Sequence, residues 1–542
     1  MDRMRGADVV AKTLERLGVT RIFSLSGNHI MPIFDALLAT KIEIVHVRQE
    51  AACVHMADAW GRLTGEVGVA LVTGGQGMSN GAAALFTALA AESPLLLLSG
   101  HAGLKELGRG AFQELAQADI ARPMAKASWT ASSVATLGTD LAAAMRIALE
   151  GRPGPVHLAL PVDLLEESVD ERSIRLPDAI AREAATPAPD LIDRVTQIVA
   201  DHERPLIVVG PALGGDTQRA ASNALAQRLG VPIVAMESPR GINDPALGSF
   251  AEVLKEADLL VLIGKPLDFT LKFGDAPAVS GDCKFVVIDP DPELVARAAR
   301  SKGDRLLASG IGDPSAVLEA LGSSEVPAGS RQGEWYRRAT EALSYEPPEW
   351  DAAESPGRVH PVQLCRAVRD FLGKHPGGTL ICDGGEIGQW PQAIIKGERR
   401  LVNGVSGTIG ASIPFAIAAR CLNPAGPVVA ILGDGTFGFH MAELDTAVRY
   451  DLPIIVVIGN DARWNAEYQI QLRSFGIERA KNCELLPSRY EQVAEALGGI
   501  GMRVTSPEEL PAALEAAHAT GKPACINVMI EGVPAPAIRR SR

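Results

Sequence analysis

Two short runs of aliphatic residues, Val428-Val-Ala-Ile-Leu and Leu452-Pro-Ile-Ile-Val-Val-Ile, each stop at a polar loop, and this arrangement constrains the fold of the 542-residue chain more than any other stretch. The first loop is Gly433-Asp434-Gly435 and the second is Gly459-Asn460-Asp461. Between them Met441 to Tyr450 reads as a helix, so the unit is strand, loop, helix, strand, loop. In a parallel sheet both loops fall at the carboxyl edge, where open α/β folds bind ligands. Glycines there let main-chain amides approach a phosphate, and carboxylates from two loops suit a hard divalent cation. The pair points to a magnesium-bound diphosphate. Taken alone, Gly-Asp-Gly reads equally as a tight surface turn.

Similar strand candidates recur along the chain. Arg21-Ile-Phe-Ser-Leu, Ile42-Glu-Ile-Val-His-Val, Val67-Gly-Val-Ala-Leu-Val, Pro94-Leu-Leu-Leu-Leu and Val156-His-Leu-Ala-Leu alternate with helical stretches. A second series runs through Leu206-Ile-Val-Val, Pro232-Ile-Val-Ala, Leu259-Leu-Val-Leu-Ile and Phe285-Val-Val-Ile-Asp. The third contains Thr379-Leu-Ile-Cys, the two runs already described and Ala524-Cys-Ile-Asn-Val. Proline-bearing polar stretches at 175–188 and 322–350 separate the series. The expected fold is α/β, with three doubly wound parallel-sheet domains at 1–175, 188–322 and 350–530. A flexible basic tail, 531–542, is expected to follow.

A formal net charge of -13 argues against a general nucleic-acid binder, which needs clustered Lys and Arg. Seven scattered cysteines, odd in number and without a Cys-x-x-Cys pair, argue against a disulfide framework or zinc knuckle and for the reducing cytoplasm. No apolar run reaches the length of a membrane span, and the first residues lack the apolar region of a signal peptide.

Three further segments carry chemistry. His46-Val-Arg-Gln-Glu50 closes a strand candidate and opens a helix; such a glutamate is also what the helix dipole favours at that position. Gly74-Gly-Gln-Gly-Met-Ser-Asn80 follows the next strand, and its glycines suit either a phosphate cradle or a sharp strand-to-helix turn. Gly404-Val-Ser-Gly-Thr-Ile-Gly-Ala-Ser-Ile-Pro reads as a helix-start loop with Ile409 as an ordinary core residue.

In this order, over nearly the whole chain, these motifs resemble the thiamine-diphosphate-dependent enzymes of the acetolactate synthase, benzaldehyde lyase, oxalyl-CoA decarboxylase and 2-hydroxyacyl-CoA lyase group. The resemblance implies a pyrimidine-binding first domain, a Rossmann-like central domain and a diphosphate-binding third domain. It assigns magnesium to Asp434, Asp461 and the main-chain oxygen of Arg463, with Asp461 standing where Asn is usual. It assigns Glu50 to the aminopyrimidine N1′, Ile409 to the wedge between the cofactor rings and the Gly407 carbonyl to the 4′-amine. Asn28, Gly75, Asn80, Glu386, Gly433, Gly435, Thr436 and Trp464 become further cofactor contacts. In such enzymes the site lies between the first domain of one subunit and the third of another, so the resemblance implies a homodimer at least, and a homotetramer is the expected assembly.

Ser26-Gly-Asn-His29 and Gly110-Ala-Phe-Gln-Glu114 resemble benzaldehyde lyase, which implies that His29 and Gln113 handle protons and oxygens at the reacting carbon. A capping or core histidine is the plainer reading of His29. Gly264-Lys-Pro-Leu-Asp-Phe-Thr-Leu-Lys-Phe-Gly274 resembles a nucleotide-handling stretch of the acyl-CoA lyases, and Asp289 ends a strand as a ribose-binding acid does, so ADP in the central domain is a further expectation. Lys265, Lys272 and the arginines of the tail suit CoA phosphates. Acyl-CoA lyases typically read Gly-Asp-Ser where this chain has Gly-Asp-Gly435, so the pocket is expected to diverge; Gln389 and Trp390 are expected to shape it. The function expected from these resemblances is a carbon–carbon lyase and ligase acting on a 2-hydroxyacyl-CoA thioester and releasing formyl-CoA. The alternative is a benzaldehyde-lyase-like or acetolactate-synthase-like enzyme on free aldehydes, acyloins or 2-oxo acids.

Overall fold

The computed structural model describes residues 3–180, 185–324, 333–397, 399–423 and 425–540. They form the expected α/β architecture around three parallel sheets. The first sheet runs in the spatial order Glu43–His46, Arg21–Ser24, Gly68–Val72, Leu95–His101, Pro155–Pro161, Ala127–Thr130. The third runs Arg399–Val402, Thr379–Cys382, Val428–Gly433, Ile455–Asn460, Ala524–Met529, Ile500–Val504. Numbered along the sequence, each of these sheets reads 2-1-3-4-6-5. The central sheet has five strands in the order Ile233–Ala235, Pro205–Val209, Leu259–Ile263, Lys284–Ile288, Leu306–Gly310. An antiparallel pair, Arg3–Arg5 with Ser168–Asp170, ties the two ends of the first domain together.

The helix Glu50–Thr64 is the structural joint between the first and third domains. Its N-cap, Gln49, accepts from the Ala51 amide at 2.6 Å, and Gly65 ends it in the left-handed region at φ 74°. Ala52, Ala57, Ala59 and Gly61 keep it slim enough for backbone to approach on its own sheet: a Cβ on Gly68 would stand 1.9 Å from the Ala57 carbonyl oxygen. Its other face meets the helix Ser412–Leu422. One apolar cluster therefore runs from Phe23 and Val45 through Cys53 and Met56 to Ile413, Phe415 and Val456. Each large apolar side chain in that cluster contributes roughly 1.5–3 kcal/mol by leaving water, so the base of Glu50 is anchored in shared core.

Four expectations about organisation need correction. The stretch 322–350 is more than a separator, because the helix Gly333–Leu343 packs into the central domain, where buried Trp335 donates Nε1–H to the Pro205 carbonyl at 2.8 Å. The segment 531–540 is docked, against the expectation of a flexible tail. Val533 and Ile538 pack on the third-domain core, and Arg540 Nε donates to Glu252 Oε2 of the central domain at 2.8 Å. The helix expected within Met441 to Tyr450 is present as Glu443–Arg449, but the stretch before it, expected as a loop, forms a further short helix, Asp434–His440. Trp390, expected to shape a pocket, is 6% exposed and lies in the core with its ring centroid 5.6 Å from that of Trp350.

Among the described residues no helix is long and apolar enough to cross a membrane. All seven cysteines are free thiols.

Candidate functional site

The loop Thr73 to Gly77, at the carboxyl end of the third strand of the first sheet, brings the expected catalytic residues together. Thr73 Oγ1 lies 3.2 Å from His29 Nδ1. Gly75, at φ 57°, backs on to Gln113: a Cβ there would stand 2.7 Å from Gln113 Cβ. A Cβ on Gly77 would stand 3.6 Å from Glu50 Oε1, so that carboxylate faces the loop. Glu50 Oε2 accepts from Asn80 Nδ2 at 3.0 Å. The Glu50 carboxylate, the His29 imidazole and the Cβ and main chain of Gln113 thus meet at one glycine-rich turn.

Each side chain is held by its own support. His29 is 5% exposed, stacks on Phe112 with ring centroids 5.8 Å apart, and packs where a Cβ on Gly100 would stand 2.5 Å away. Burial holds its imidazole below the ordinary range, so it is neutral at physiological pH. Gln113 sits in the left-handed region at φ 54°, an uncommon conformation for a non-glycine residue. The Glu114 carboxylate folds the loop that presents it by accepting from the amides of Gly110 at 3.1 Å and Ala111 at 3.0 Å. Gln117, a residue that no sequence motif singles out, accepts from the Gly75 amide at 2.5 Å while donating to Ser99 Oγ at 3.0 Å and the Gly100 carbonyl at 2.9 Å.

In the third domain the two expected carboxylates meet. Asp434 is 2% exposed and Asp461 8% exposed, and Asp434 Oδ2 has no hydrogen-bond partner. Burial lifts the Asp461 carboxyl to about 7, with the nearby Asp434 charge adding to the effect, and burial lifts Asp434 to about 6. Two buried carboxylates, one with an orphaned oxygen, fit a divalent cation between them. Among the described residues no group of three or more His, Cys, Asp or Glu side chains forms a metal site. The remaining ligands would therefore come from main-chain oxygen, of which Arg463 is the expected source, and from phosphate and water. Arg463 also donates its amide toward both carboxylates, and its guanidinium stacks 4.5 Å from the Tyr468 ring.

The diphosphate side is equally built. Thr436 Oγ1 donates to the Gly433 carbonyl at 3.0 Å and accepts from the Gly433 amide at 3.1 Å, closing the turn before the Asp434–His440 helix. A Cβ on Gly435 would stand 2.9 Å from the Trp464 ring, which makes glycine obligatory beside that tryptophan. Asn460, which sequence reasoning passed over, orients the second loop: Oδ1 accepts from the Ala462 amide at 3.1 Å and Nδ2 donates to Asn527 Oδ1 at 3.1 Å. The Gly404 to Gly410 loop hangs from buried Asp383, which accepts from the Gly410 amide at 2.8 Å and from Ser412 Oγ at 2.6 Å. On it Gly407 is exposed at φ 72° and Ile409 is half-buried, so Ile409 is not the core residue its apolar side chain suggests. Asn28 is exposed beside His29. Glu386 is placed differently from a simple cofactor contact: Oε2 accepts from Arg240 Nη2 of the central domain at 2.9 Å and from the Ala535 amide at 3.2 Å.

The central domain does not present the groups expected to face ADP. Asp289 is 1% exposed, and Arg152 of the first domain donates to its Oδ2 at 2.6 Å while also pairing with Glu92. Lys265 is 2% exposed and donates to Asp268 Oδ2 at 2.8 Å. A cavity of about 620 Å³ opens beside these ion pairs, lined in part by Lys126, Asp291 and Val405. The ribose acid and the buried lysine are thus both committed, which does not fit the expected nucleotide; Lys272 is exposed.

Three family models of thiamine pyrophosphate enzymes match the chain: the N-terminal TPP binding domain at residues 4–120, the central domain at 192–321 and the C-terminal TPP binding domain at 383–528. A human protein, 2-hydroxyacyl-CoA lyase 2, is 31% identical over 97% of this chain and 90% of its own length. The acetolactate synthase large subunit of Mycobacterium tuberculosis is 29% identical over 97% of this chain and 96% of its own. A 2-hydroxyacyl-CoA lyase of Arabidopsis thaliana is 26% identical over 97% and 95%, respectively.

Proposed function

Because this chain belongs to the thiamine pyrophosphate enzyme family, we propose that it is a carbon–carbon lyase and ligase acting on 2-hydroxyacyl-CoA thioesters. It would split them into an aldehyde or ketone and formyl-CoA, and join these in reverse. The observation that carries the reading is the meeting of Glu50, His29 and Gln113 around the Thr73 to Gly77 loop. Bound at that edge, thiamine diphosphate supplies a nucleophilic carbon and an electron sink for cleaving a bond next to a carbonyl. Glu50 would face the pyrimidine ring, with Asn80 fixing the direction of its carboxylate. Neutral His29 takes and returns the substrate hydroxyl proton, and the Gln113 carboxamide binds the adjoining oxygen. Asp434, Asp461 and the Arg463 carbonyl would hold magnesium, which would help bind the diphosphate. The half-buried Ile409 side chain would offer the cofactor an apolar support.

The site is read as shared between subunits of a homodimer, or a tetramer built from such dimers. Large apolar side chains stand in solvent on both arms: Phe112 is 66% exposed and Phe86 52% on the first domain, and Phe439 is 53% exposed on the third. Burying these side chains is what such an assembly would achieve. Free thiols throughout support a cytoplasmic setting.

A second reading, in which the substrates are free aldehydes, acyloins or 2-oxo acids, is favoured by the central domain, where Lys265 and Asp289 are both taken up in ion pairs. One assay separates the two. Purified enzyme with thiamine diphosphate and magnesium is offered a set of 2-hydroxyacyl-CoA thioesters, the matching free acids, benzoin and pyruvate. Higher kcat/KM on the thioesters is expected; preference for benzoin or pyruvate would sink the CoA reading and leave the free-substrate one.

A further inference from the structure

The Glu443 carboxylate takes no part in the site described above, yet its residue has no exposed surface and is aimed at the segment that presents Glu50. It opens the Glu443–Arg449 helix of the third domain. The Arg48 amide donates to Oε1 at 3.0 Å and Oε2 at 3.3 Å, and the Gln49 amide donates to the carboxylate as well. Thr446 Oγ1 donates to Oε2 at 2.6 Å. The same helix grips the strand end before it: Tyr450 OH accepts from the His46 amide at 2.8 Å, and Arg449 Nη2 donates to the His46 carbonyl at 2.6 Å. The next residue after this clamped segment is Glu50, where its helix begins.

A buried carboxylate is costly unless its oxygens are fully used. Apolar contacts already join these two domains, so cohesion alone does not call for one. What the carboxylate does that an apolar side chain cannot is take two consecutive main-chain amides at the end of a strand and so set the direction of the turn that follows. We propose that Glu443 is a positioning residue for Glu50, holding the Arg48 and Gln49 amides so that the Glu50 carboxylate is aimed at the Thr73 to Gly77 loop. Asn80 fixes that carboxylate from its outer end and Glu443 fixes its root.

The inference rests on the reading of Glu50 as the carboxylate that serves the cofactor, and its test keeps the two apart. Full-length Glu443→Gln protein is compared with wild type in two measurements. In cofactor-free protein, hydrogen–deuterium exchange is followed at the Arg48 and Gln49 amides, where about tenfold faster exchange is expected from loss of a charged acceptor. In protein loaded with thiamine diphosphate and magnesium, exchange of the cofactor's C2 proton with solvent deuterium is followed by acid quench and NMR. A fall of about tenfold is expected, with cofactor affinity held within about threefold. Unchanged amide exchange overturns the proposal, and so does unchanged C2 exchange. Should Glu443→Gln fail to fold, Thr446→Val, which removes one donor to the carboxylate, is expected to slow C2 exchange about threefold, and no change overturns the proposal. Glu50→Gln is run in parallel: if it leaves C2 exchange intact, the role of Glu50 falls and that of Glu443 with it. If it abolishes exchange while Glu443→Gln does not, Glu443 alone falls.

Discussion

Asn80 Nδ2 donates to Glu50 Oε2 at 3.0 Å, so the helix that follows the glycine-rich loop orients the first residue of the neighbouring helix. The donor is neutral and caps one oxygen, while the other faces Gly77. A lysine or arginine in place of Asn80 would add a charge beside the carboxylate, whereas an amide orients it without one.

Glu50→Gln is therefore expected to keep the fold and the contact region with Asn80 while lowering kcat by about a hundredfold or more, the usual scale of a lost acid–base group. Steady-state kinetics beside a thermal melt checks it; near-wild-type turnover would refute the assignment.

The two buried carboxylates of the third domain make different predictions. Asp434→Asn is expected to weaken magnesium-dependent cofactor binding at least about tenfold. Asp461 stands where the family resemblance expects Asn, so Asp461→Asn should retain binding. Calorimetric titration of thiamine diphosphate with and without magnesium distinguishes them, and equal losses would argue against the asymmetry.

At Gly435 the nearest ring atoms leave no room for a side chain. Gly435→Ser is expected to displace Trp464 and destabilise the protein by about 1–3 kcal/mol. Trp464→Ala in the same chain should recover most of that loss. Denaturant melts of the single and double variants test the coupling.

His157 supplies a pH prediction. It is fully buried between Ser99 Oγ and Ser128 Oγ, each 2.8 Å from a ring nitrogen, and burial lowers it from 6.5 to about 3. The unfolded imidazole protonates first, so the stability tied to neutral His157 is complete above pH 6.5 and is lost as pH falls toward 3. At pH 5 the loss is about 2 kcal/mol. His157→Gln should shrink the difference between denaturant melts at pH 7 and pH 5 by about that amount, and an unchanged difference would contradict the assignment.

The legibility of this chain follows the burial of its elements. Interior strands such as Leu259–Ile263 and Leu95–His101 are covered on both faces and read as unbroken apolar runs. Ala127–Thr130, Leu306–Gly310, Arg399–Val402 and Ile500–Val504 escaped because each lies at a sheet edge, where polar residues and small ones suffice. Glu50, Asp434 and Asp461 were legible because each ends a strand or opens a helix in a recognisable motif. Gln117 and Glu443 were not, since a side chain that serves another segment's amides leaves no local pattern. Asp289 and Lys265 misled for the converse reason: their sequence context suits a nucleotide, but partners from distant or neighbouring segments claim them.

The shared 2-1-3-4-6-5 order of the outer sheets pairs the loops one by one. The loops carrying His29 and Glu386 follow first strands, those with Glu50 and Ile409 follow second strands, and those with Gly75 and Asp434 follow third strands. Gln113 and Asp461 lie beyond fourth strands. Such correspondence is what duplication of one ancestral scaffold leaves behind; on the function proposed above, one copy would serve proton chemistry and the other charge. The two copies are then separate substrates for selection: variation after the first and fourth strands of the proton copy can retune what is cleaved, while the charge copy keeps hold of the same cofactor.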